Sequence, residues 1–144
     1  MKTILVGLDG SPRAPGVLDF AISFARITDA KLVLFRAFSI PPDMNLAWPV
    51  SDAPLEAALR QQAQADVDEH ARRIPPELLG GVRVSVGTAW QAICSAARDE
   101  HADLIVIGSH GYSGLDRLLG TTAGKVVNHA DRSVLVVRPP SAAQ

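Results

Sequence analysis

The chain is poor in the residues that carry covalent or metal chemistry. Its 144 residues include one cysteine, Cys94, which excludes an internal disulfide framework and an all-cysteine zinc site. Set among Ala92, Ile93, Ala96 and Ala97, that thiol reads as a small buried hydrophobe. His70, His101 and His129 are scattered along helical segments without the spacing of metal ligands, so a surface position is expected for each. Charge of one sign is also lacking: 14 basic against 15 acidic residues give a net charge of −1. There is then no bulk pull toward nucleic acid or anionic lipid, and any bound anion must be held by local geometry. Although 47% of the residues are hydrophobic, no apolar run approaches the roughly 20 residues of a membrane span. The start, Met1 to Asp9, carries one basic residue and too short an apolar run for a signal sequence, so a cytoplasmic location is expected. Internal repeats and low-complexity tracts are missing, and the length suits one domain, 1–144.

Short apolar runs alternate with stretches of helical periodicity. Ile4-Leu5-Val6 predicts a first strand, and Ser11-Pro12 has the form of a helix start, with serine as the cap and proline at the first helical position. Leu18, Ile22 and Ala25 then recur at helical spacing. Leu32 to Phe35 predicts a second strand covered on both faces. The Pro-rich segment from Ser39 to Ala53 is of a length at which loops are either functional lids or disordered. Leu55, Leu59, Ala63, Val67, Ala71 and Ile74 mark a second helix, ended by Pro75-Pro76. Gly80-Gly81 reads as a turn, and the alternation of Val82, Val84 and Val86 with Arg83 and Ser85 suits an edge strand. A helix over about Ala89 to Glu100, a strand from Leu104 to Ile107, a helix from Thr121 to about His129 and a last strand over Val134 to Val137 complete the series.

Such alternation predicts an α/β fold, an open parallel sheet with helices on both faces. Right-handed crossovers leave few strand orders. If the order is 3-2-1-4-5, the winding reverses between the first and fourth strands, and ligands bind there, beyond the strands' C-terminal ends. Asp9 and the loop from Gly108 to Gly114 would meet at that point.

The same loop attracts attention on chemical grounds. Leu104 to Ile107 opens into Gly108-Ser109-His110-Gly111-Tyr112-Ser113-Gly114, with Gly120-Thr121-Thr122 farther on at a helix start. Glycines let a backbone curl its N–H groups toward an anion at close range, and hydroxyls and a helix N-terminus add donors. Gly120 to Val126 is not a P-loop, since three residues rather than four separate its glycines and no Ser or Thr comes after Lys125. There Gly124 is expected to allow close helix packing and Lys125 to point to solvent. His110 lacks a nucleophile or carboxylate partner in the sequence, so a donor to phosphate or water is a better reading than a general base.

With these residues placed, the chain resembles the universal stress protein family, from Ile4-Leu5-Val6-Gly7-Leu8-Asp9-Gly10-Ser11 to Val134-Leu135-Val136-Val137-Arg138. The ATP-binding branch of that family carries a Gly, two residues, a Gly, nine residues, then Gly and a Ser or Thr. Gly108, Gly111 and Gly120-Thr121 match it, but only eight residues, Tyr112 to Leu119, lie between the second and third glycines. One residue fewer inside a helix would rotate its remaining turns by roughly 100°, so either Thr121 or Thr122 takes the hydroxyl role.

The resemblance implies an adenine-nucleotide alpha-hydrolase-like fold and a stress-response regulator that binds ATP, with Mg²⁺, and hydrolyses it slowly at most. It puts Asp9 and the backbone around Ala37 beside adenosine, Ile107 and Gly108 near base or ribose, and Gly111, Gly120 and Thr121 along the phosphates, with His110, Gly114 and Thr122 as further candidates. Asp9 could instead cap the first helix; as a ligand group it suits the sugar or a metal, because a carboxylate repels phosphate. Trp48 could close over adenine or face a partner, and Trp90 is expected in the core or an interface. The last strand, Ser133 to Arg138, is an apolar edge of a kind that tends to pair, and the resemblance implies that its partner is the same strand of a second subunit in a homodimer. The alternatives are a nucleotide-free interaction protein of this fold and, more remotely, a nucleotidyl or phosphoryl transferase.

Overall fold

A computed structural model describes residues 1–40, 53–109 and 119–138. Most of the Pro-rich segment, including Trp48, lies outside the described residues, as do His110, Gly111 and Gly114. The elements run β1 (Thr3–Gly7), α1 (Ala14–Thr28), β2 (Lys31–Phe38), α2 (Ala53–Ala71), β3 (Leu79–Val86), α3 (Ala89–Asp99), β4 (Leu104–Gly108), α4 (Thr121–His129) and β5 (Ser133–Val137). The strands form one sheet in the order β3-β2-β1-β4-β5, and every neighbouring pair is parallel. This is the predicted α/β architecture.

The central strands are apolar because they are covered twice. Ile4, Val6, Leu32, Leu34, Leu104 and Val106 face α1 and α2, whereas Leu5, Val33, Phe35, Ile105 and Ile107 face α3 and α4. Leu5, Phe35 and Ile105 have no exposed surface, and each such side chain contributes about 1.5–3 kcal/mol by leaving water. Those two packed layers hold the sheet's C-terminal edge in place, and the winding reverses between β1 and β4.

Three local expectations are corrected. Helix α1 starts at Ala14, with Arg13 at the cap and Pro15 in the first turn, not at Ser11-Pro12. The Ser11 hydroxyl accepts from the Arg13 N–H at 3.2 Å, a local turn that occupies the oxygen two residues on rather than capping a helix. Gly80-Gly81 lies inside β3, where the register with β2 slips between Leu32 and Val33. A Cβ at Gly80 would stand 3.1 Å from Lys31 Cβ and 3.3 Å from the Leu32 carbonyl, so this glycine serves a bulge pressed against the next strand. Among the described residues Gly124 does not serve close helix packing, since a Cβ there would meet none of them within 4 Å.

Other expectations hold. Cys94 is buried, and that burial pushes its thiol up from the ordinary range. Lys125 is exposed. Trp90 packs at the edge of the second core layer, with the His129 ring 4.5 Å away and the Lys125 ammonium 5.6 Å from its centroid. At the opposite end of the sheet, the Asp103 carboxylate accepts from the N–H groups of Lys2 at 2.7 Å and Thr3 at 3.0 Å. Those two donors hold the carboxyl below its usual range.

Candidate functional site

A crevice of about 570 Å³ opens at the C-terminal ends of the strands, where the winding reverses. The turn after β1 contributes Asp9, Gly10 and Ser11; the end of β2 contributes Arg36 and Ala37; β4 contributes Ile107 and Gly108; α3 contributes Ala89 and Ile93; and the first turn of α4 contributes Thr121, Thr122 and Ala123. Its volume falls within the range of small-molecule sites. Asp9, Ala37, Ile107, Gly108, Thr121 and Thr122, widely separated along the chain, therefore meet at one place. A second hollow of about 560 Å³, between α1 and the end of β5, shares only Val17 and Gly108 with it.

The two walls differ in chemistry. Ala37, Ile93, Ile107 and Ala123 continue the apolar layer under α3 and α4. Opposite them stand Asp9, Gly10, Ser11 and Arg36, the last on the α1 and α2 face by the alternation that also places Leu32 and Leu34 there. A flat apolar ring suits the first wall and a hydroxylated group the second.

Helix α4 supplies the donors. Gly120, buried behind the crevice, is its N-cap and has no side chain to offer, so no side-chain cap bonds the first turn. Among the described residues no side chain caps the leading N–H groups of the helix, which can donate to a ligand with the positive end of the helix dipole behind them. Thr121 and Thr122 add two exposed hydroxyls on that turn. The start of α4 is itself tied to β4, because the Gly120 N–H donates to the Ser109 carbonyl at 2.9 Å and the Ser109 N–H donates to the Val137 carbonyl at 3.0 Å.

Asp9 does not cap α1, which begins five residues later. Its Oδ1 accepts from the Ser11 N–H at 3.0 Å, a turn that holds the carboxylate at the crevice mouth, where Asp9 is exposed. Sequence reasoning missed Arg36. A lone arginine ending an apolar run reads as a solvated strand terminus, and only the register of β2 against β1 brings it beside Gly10. Among the described residues no cluster of three or more His, Cys, Asp or Glu could hold a metal ion. No described helix is long and apolar enough to cross a membrane.

The comparisons with known proteins agree with this architecture. "Universal stress protein A homolog 1" of Coxiella burnetii is 30% identical over 149 residues, covering 94% of this chain and 95% of its own. A solved structure of a universal stress protein family member from Burkholderia pseudomallei superposes with a TM-score of 0.73 at 26% identity, covering 96% of each chain. Another, a universal stress protein in complex with cAMP, gives a TM-score of 0.60 at 27% identity over 95% of this chain and 96% of that one. The model of the universal stress protein family matches residues 1–138, and with the sheet order and the crevice in agreement, the chain belongs to that family.

Proposed function

We propose that this protein binds ATP, together with Mg²⁺, in the crevice at the β1–β4 reversal and works as a homodimeric stress-response regulator of the cytoplasm, built as one domain over 1–144. The first turn of α4, uncapped among the described residues, carries the reading: its Thr121, Thr122 and Ala123 line a crevice that also collects Asp9, Ala37, Ile107 and Gly108. An adenine ring would lie on the wall of Ala37, Ile93 and Ile107, the sugar beside Asp9 and Gly108, and the phosphates toward the start of α4. The relative solved with cAMP supports an adenine nucleotide as the ligand class. Charge-assisted hydrogen bonds contribute about 1.5–3 kcal/mol each, so about three to five of them reach the roughly 8 kcal/mol of micromolar binding.

Mg²⁺ takes hard oxygen ligands and keeps several waters, and the hydroxyl of Thr121 or Thr122 would join the phosphate oxygens around it. The ion would neutralise phosphate charge. Asp9 is the single acidic residue of the described lining, and hydrolysis is slow at most in this reading. Dimerisation would run through the open edge of β5. Saturating MgATP at about 100 times its Kd should stabilise the protein by about 2.7 kcal/mol and raise Tm by about 6–10 °C. If ATP, ADP, AMP and cAMP all leave Tm unchanged, the chain is a nucleotide-free interaction protein of this fold.

A further inference from the structure

Arg36 is the one cationic residue of the described crevice lining. Its guanidinium lies against Gly10, where a Cβ would stand 3.1 Å from Nη2 and 3.3 Å from Nη1. Its Nε is buried and has no hydrogen-bond partner among the described residues. Its ion pair with Asp66 is long, 3.8 Å to a carboxylate oxygen, and the Asp66 side chain is 46% exposed. A guanidinium offers five donors in a fixed plane, and a buried donor without a partner is costly. The seat on Gly10 thus holds the terminal amino groups of Arg36 at the crevice wall, engaged among the described residues only by the long Asp66 pair.

We propose that Arg36 is a specificity-determining residue that reads the sugar of the bound nucleotide, donating to ribose hydroxyl oxygens while Asp9 accepts from the ribose hydroxyls. This assignment rests on the nucleotide reading given above. Two strand spacings separate the ends of β2 and β4, about 10 Å, and α4 starts beside β4, so phosphates held by the first turn of α4 leave the nucleoside, not the polyphosphate, beside Arg36. Asp9 shares that wall and repels phosphate oxygens. Each hydroxyl of a cis-diol both donates and accepts, which is what a carboxylate and a guanidinium on one wall together complement.

Calorimetric titration of the full chain and of Arg36→Met with ATP, 2′-deoxy-ATP and 3′-deoxy-ATP separates the possibilities. The unsubstituted protein should bind ATP about tenfold more tightly than at least one of the deoxy analogues, as expected for one charge-assisted hydrogen bond. Arg36→Met should lower ATP affinity by about the same factor and remove the discrimination, with the affinity for that analogue moving less than about twofold. A uniform loss across all three ligands would mean that the guanidinium meets phosphate or base and would overturn the assignment, as would no loss at all. Gly10→Ala provides a second route should Arg36→Met fold poorly: its methyl displaces the guanidinium while the charge stays, and retained discrimination would count against the proposal. If the unsubstituted protein binds no nucleotide, the underlying reading fails and this one with it; ATP binding without sugar discrimination sinks this one alone.

Discussion

Gly7, the last residue of β1, sits where the floor of the crevice meets the second core layer, and Gly7→Ala tests how tightly that floor is built. A methyl there would stand 3.0 Å from Ile107 Cγ2, 3.2 Å from Ile93 Cδ1 and 3.5 Å from Ile93 Cγ1. Both neighbours are buried, at 3% and 5% exposure, and both are β-branched and stiff at χ1. Overpacking of this kind costs about 1–3 kcal/mol, while replacing a strand glycine by alanine returns about 0.5–1 kcal/mol of backbone entropy. A net loss of about 1–2 kcal/mol should lower Tm by roughly 3–8 °C for a domain of this size. Urea unfolding should show a lower midpoint with an unchanged m-value. Ile93→Val removes Cδ1, so the double variant should recover about 1 kcal/mol relative to the sum of the singles. Gly7→Ala at or above the original stability, or strict additivity with Ile93→Val, would refute the close approach.

Two more outcomes concern the edges of the sheet. Asp103 is held below its usual range by the Lys2 and Thr3 N–H groups; the stability it adds is present above the unfolded carboxyl pKa and disappears as pH falls through the lowered folded value. Asp103→Asn should therefore lower Tm at neutral pH and flatten the acid limb of the Tm–pH curve, and an unchanged limb would contradict this role. The Val137 carbonyl points at β4, because Ser109 donates to it, so by alternation the Val136 N–H faces the open edge. Val136→Pro should then spare the sheet and convert the proposed dimer to a monomer in sedimentation velocity, whereas a persisting dimer would rule out pairing through β5.

The order and type of elements were legible because the central strands are buried on both faces and so appear as unbroken apolar runs, Leu104 to Ile107 being the clearest. The crevice was legible in part for the same reason: glycines and threonines after β4 and an aspartate after β1 fall at strand ends that the winding rule brings together. Boundaries set by side-chain turns were not. Ser11-Pro12 has the residues of a helix cap, yet Asp9 and Ser11 use their oxygens on amides two positions ahead, which delays the helix to Ala14. Gly80-Gly81 resembles a turn because one-dimensional reading cannot distinguish a glycine that reverses the chain from one that admits a neighbouring strand. Arg36 escaped for a third reason, that its role depends on inter-strand register rather than on any adjacent residue.

The bond between the Ser109 carbonyl and the Gly120 N–H fixes the start of α4 against the end of β4. Stapled in this way, Ser109 and Gly120 stay together, and the placement of Thr121 and Thr122 is referred to β4 and, through Val137, to β5. Strand pairing and helix placement beside the crevice thus share one hydrogen-bonded chain, so a change that loosens the end of either strand is felt at the first turn of α4.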